Sequence, residues 1–61
     1  MSAIAKSYWR SIQRGVRVFA AVPDSLKDEV KALALADVAS ERLDQDAYRD
    51  FIGEEYPAEQ S

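Results

Sequence analysis

Sixty-one residues with a net charge of −3, no cysteine and no histidine make one domain at most, and a chain that short hides only about 60% of the surface its unfolded form exposes. Disulfides, thiolate sites and a structural zinc of the ordinary ligand types are thereby excluded, which leaves self-association or a partner as the available supplement to a marginal core. The charges are sorted, with four basic and no acidic residues in Met1 to Val22 against eight acidic and two basic in Ala32 to Ser61, so the first segment suits an anionic surface, the nearest being the protein's own C-terminal half.

A first helix is expected over about 3–14, with Ser2 as its cap and Gly15 as its stop. At roughly 100° per residue, Ile4, Ala5, Tyr8, Trp9, Ile12 and Val16 fall on one side. Lys6, Arg10, Arg14 and, if the helix reaches that far, Arg17 form a basic face within about 80° on the opposite side. These charges also break up the apolar residues, so the segment is neither a signal-peptide core nor a membrane span, and a soluble cytoplasmic chain is expected. Val18 to Val22 is an apolar connector into Pro23-Asp24-Ser25, all residue types at home at a helix start.

The second helix is expected over about 24–39, with Leu26, Val30 and Leu33 as a buried stripe. Leu35 points opposite Leu26 and shares its side with Ala32, Ala36 and Ala39. That small-residue face would let another helix backbone approach closely, and it is the expected partner interface. Asp37 falls toward the middle of the Leu26 stripe and needs a wet or paired position. After a turn at Ser40-Glu41-Arg42, a third helix is expected over about 44–52. Asp44 caps it, Leu43 can staple onto Tyr48, and Gly53 supplies the left-handed residue that ends it. Leu43, Ala47, Tyr48, Phe51 and Ile52 are its packing face, and the aromatic residues serve as core. The single domain runs over 1–56, and 57–61 reads as a flexible tail.

Little chemistry is written into these residues. Histidine and cysteine, the commonest bases and nucleophiles, are absent, and Ser7, Ser11, Ser25 and Ser40 have no base at a recognisable spacing. Asp44, Asp46, Asp50 and Glu55 match positions one, three, seven and twelve of a calcium loop, but Arg49 stands at the sixth, where a glycine must turn, and Tyr48 at the fifth. The acid-rich first turn of a helix accounts for the same residues. A helix-turn-helix fails on charge, since its recognition helix would carry Asp44, Asp46 and Asp50 against Arg49 alone. No catalytic residue, metal or cofactor is expected.

Leu43-Asp44-Gln45-Asp46-Ala47-Tyr48 followed by Ile52-Gly53-Glu54-Glu55-Tyr56 resembles the closing motif of the XkdX-type small phage proteins, and Tyr8-Trp9 with Gly15 is similar to that family's aromatic-then-glycine opening. Where the family has a turn glycine, this chain has Ser40-Glu41-Arg42. The resemblance implies a small accessory protein of the tail region of a phage or prophage, virion-associated or in the host cytoplasm, with no enzymatic activity. The residues and the resemblance together lead to one expectation. This is an all-α, three-helix domain, its long middle helix packed between a basic first and an acidic third, serving as a non-catalytic interaction or assembly module with a protein partner or a second copy. The alternative is a basic amphipathic-helix module that binds nucleic acid or a membrane surface through Lys6, Arg10, Arg14 and Arg17.

Overall fold

A computed structural model describes residues 2–57. Helix α1 spans Ala3–Gln13, a 3-10 turn follows at Phe19–Ala21, α2 spans Asp24–Ala39 and α3 spans Gln45–Ile52, with no strand among the described residues. This is the small all-α domain expected from periodicity, with each helix boundary within one residue of its expected place. Of the expected tail 57–61, only Pro57 is described, and it is half-buried; the remainder lies outside the described residues.

The helix ends follow from side chains that satisfy orphan backbone groups. Ser2 Oγ accepts from the Ala5 amide at 3.1 Å, and Asp44 Oδ1 accepts from the Ala47 amide at 2.7 Å. At the end of α1 the Gly15 amide donates to the Ile12 carbonyl at 3.1 Å and the Val16 amide to the Ser11 carbonyl at 3.0 Å. This pair of bonds is the Schellman closure, and it requires the left-handed φ of +77° that Gly15 adopts. The same closure ends α2, with Glu41 donating to Val38 at 3.0 Å and Arg42 to Asp37 at 2.8 Å. Here the left-handed residue is Glu41, at φ +64°. A side chain there crowds its own backbone, which is the physical reason glycine is favoured at such a position.

The core is Ala5, Trp9 and Ile12 from α1, Val22 from the connector, Val30 and Ala34 from α2, and Tyr48 and Ile52 from α3. Helix α2 packs against both others, and the 3-10 turn rests on α3. The Trp9 ring meets the Phe51 ring edge-on, centroids 5.8 Å apart, and its Nε1 donates to Asp37 Oδ2 at 2.8 Å. Asp37 is therefore paired, as its place on the apolar stripe required. Ile4 and Val16, expected on the packing side of α1, are instead 60% and 69% exposed. Ile4 lies about 100° around the wheel from the centre of the Ala5, Trp9 and Ile12 arc, and Val16 follows the glycine turn, where helical periodicity no longer applies.

Two substitutions test these contacts. Asp37→Ala leaves the indole N–H of a buried tryptophan without its acceptor and is expected to cost about 1–3 kcal/mol in urea unfolding, whereas Asp37→Asn keeps an oxygen acceptor and costs less. An alanine variant as stable as the parent would show that the bond contributes nothing. Glu41→Gly is expected to raise stability by about 1 kcal/mol, seen as a melting temperature higher by roughly 4–8 °C; an unchanged or lower value would mean that the left-handed residue carries no strain.

Candidate functional site

The four basic residues of the first segment do not share one stripe. Lys6, Arg10 and Arg14 are exposed on the outer side of α1 and its cap. Because the chain reverses at Gly15, Arg17 is carried away from them, and its guanidinium lies 5.1 Å from the centre of the Tyr8 ring. With Ile4, Ser7 and Tyr8 it lines a shallow open depression. Among the described residues the ion pairs are Lys27 with Asp24, Lys31 with Glu54 and Arg49 with Asp46, so none includes Lys6, Arg10, Arg14 or Arg17. The basic side chains of the first segment are exposed, and Arg17 lines a further depression together with Asp50 of α3.

Val16 and Val18 flank Arg17 at 69% and 64% exposure, and with Ile4 they are large apolar side chains left in water. Of the face expected to receive a partner on α2, Leu35 is half-buried against the core cluster and Ala32 is half-buried, while Ala36 and Ala39 are exposed. Sequence reasoning missed Val18 as a surface group, since it stands in an apolar run without the length of a helix or strand. The only available signal was its neighbour Arg17, which must reach water.

The acidic end presents a second feature. Between the end of α2 and the start of α3, Val38, Glu41, Arg42, Leu43, Asp44 and Gln45 enclose an open depression of about 480 Å³. Its apolar members, Val38 and Leu43, are half-buried, whereas Glu41, Arg42, Asp44 and Gln45 are exposed. The turn that forms it is fixed by the Schellman closure on the Asp37 carbonyl, which also accepts from Ser40 Oγ at 3.2 Å.

Among the described residues no group of three or more Asp or Glu side chains is placed to hold a metal ion. Asp44 is occupied in capping α3, and Asp46 lies 3.7 Å from Arg49. Among the described residues no charged side chain is buried. No helix among them is long and apolar enough to cross a membrane.

Tyr48 is the exception to a satisfied interior, fully buried with a hydroxyl that has no hydrogen-bond partner among the described residues. Its ring meets Tyr56 edge-on at 5.5 Å. Burial pushes its phenol above the ordinary tyrosine value, opposed by the nearby Lys31 ammonium. Lys31 is itself raised, first by its 2.6 Å hydrogen bond to Glu54.

No family model, curated protein or solved structure matches this chain.

Both shifts act in one direction on stability. A group whose folded pKa lies above its unfolded value stabilises fully below the unfolded value and loses that contribution as pH rises through the folded one. The fold is therefore expected to hold its stability up to about pH 10, the ordinary tyrosine value, and to weaken above it. Tyr48→Phe removes an orphaned buried hydroxyl and is expected to leave neutral-pH stability unchanged or raise it by about 1 kcal/mol, and to move alkaline unfolding to higher pH. A variant destabilised by more than about 1 kcal/mol would show that the hydroxyl has a partner.

Proposed function

We propose that this chain is a non-catalytic helical interaction module that acts through protein contacts at its surface. The observation that carries the reading is exposed apolar surface in a segment whose charges are all of one sign. Exposed Ile4, Val16 and Val18 lie in a segment that holds four cations and no anion, and the acid-rich half surrounds the depression at the α2–α3 turn. Apolar side chains left in water beside unpaired charge are the composition of a contact surface. The absence of histidine and cysteine and the shallow, open form of the depressions favour a binding role over catalysis. On its resemblance to XkdX-type proteins at Leu43–Tyr48 and Ile52–Tyr56, the module is an accessory of a phage or prophage tail region, virion-associated or in the host cytoplasm.

A second reading draws on the same exposed cations. Lys6, Arg10 and Arg14, outside the ion pairs of the described residues, could neutralise phosphates of nucleic acid or of a lipid surface. The two readings separate in titrations of the chain with duplex DNA and with vesicles of anionic lipid at low and high salt. The protein-contact reading expects no appreciable binding to either at physiological salt, and no difference for Arg10→Glu/Arg14→Glu. Binding that collapses as salt rises and vanishes in the double variant would overturn it in favour of the phosphate reading.

A further inference from the structure

We infer that the partner of this surface is a second copy of the same chain, with the Val16-Arg17-Val18 edge of one molecule seated in the depression at the α2–α3 turn of the other. The inference rests on the protein-contact reading and names its occupant. The edge carries two valines at 69% and 64% exposure on either side of the exposed Arg17, and Arg17 and Val18 border a shallow depression with Asp50 and Phe51 of α3. The depression at the α2–α3 turn offers Val38 and Leu43 at its apolar positions and Glu41 and Asp44 at its exposed ones. Arg42 also stands in its lining but is outnumbered locally by these two carboxylates and, over residues 40–57, by six carboxylates against two guanidinium groups.

Charge complementarity selects this occupant over the alternatives. The segment up to Val22 carries four cations and no anion, and the carboxylates around the α2–α3 turn of a second copy are groups of opposite sign supplied by the chain itself. Trp9, the side chain best suited to a membrane boundary, is only 5% exposed and committed to Asp37. Self-association also supplies what a chain this short lacks, further apolar burial beyond a core of eight residues among those described. Using one edge and one depression per molecule, the contact either closes reciprocally as a dimer or continues head to tail.

The test is the solution mass of the full chain by sedimentation equilibrium over a range of protein and salt concentrations. The expected result is a mass above 6.8 kDa that grows with protein concentration and falls with salt. Arg17→Glu and Glu41→Arg, each shown folded by circular dichroism, should each raise the concentration for half-association about tenfold or more, since each places like charges together. An equimolar mixture of the two should recover association, because the reversed charges again meet their opposites. That recovery is a readout that mere destabilisation cannot produce. A parent that stays at monomer mass at all concentrations, or a mixture that does not recover, overturns the inference while leaving the protein-contact reading standing. Association lost in Leu35→Glu and untouched by Arg17→Glu overturns it by moving the interface to the alanine face of α2. Monomers that bind anionic vesicles through Arg17 overturn both.

Discussion

The bond from the Trp9 indole to the Asp37 carboxylate is the constraint on which the arrangement of the helices depends. It places a charged residue near the end of α2 against the middle of α1, and the indole then presents its ring to Phe51 of α3. The same aspartate uses its backbone oxygen to close α2, accepting from Arg42 and from the Ser40 hydroxyl. One residue thus fixes the crossing of α1 and the direction in which the chain leaves toward α3. The charged acceptor makes the bond stronger than a neutral one would be, and burial of the indole makes its loss costly.

The helices and their ends are legible in the chain because capping is local chemistry. Ser2, Asp44, Gly15 and Gly53 act within a few residues of themselves, and each stands where its residue type indicates. The need of Asp37 for a partner is legible as well, since a carboxylate on an apolar stripe is untenable alone. Its partner is not, because Trp9 lies 28 residues away and only the packing of two helices brings them together. Periodicity misplaces residues at the margins of its range. Ile4 sits at the border of the buried arc, Val16 lies beyond the glycine turn, and Phe19–Ala21 form a 3-10 turn too short to show any period.

The surface is harder to read than the core for the same reason. A helical wheel places Arg17 with Lys6, Arg10 and Arg14, but the reversal at Gly15 lays it over Tyr8 and turns one stripe into two groups. Leu35, opposite Leu26 on the wheel, is half-buried against the core of so small a domain. The depression at the α2–α3 turn follows from Glu41 taking the left-handed conformation, a tertiary outcome that a Ser-Glu-Arg sequence does not announce.

The chain has a single tryptophan, and its side chain touches a residue from each of the other two helices. Fraying at either terminus leaves that indole where it is, whereas separation of any helix from the others changes its surroundings. Its fluorescence, and the rate at which its ring proton exchanges with deuterated solvent, therefore report cooperative opening of the whole domain and are blind to motion at its ends.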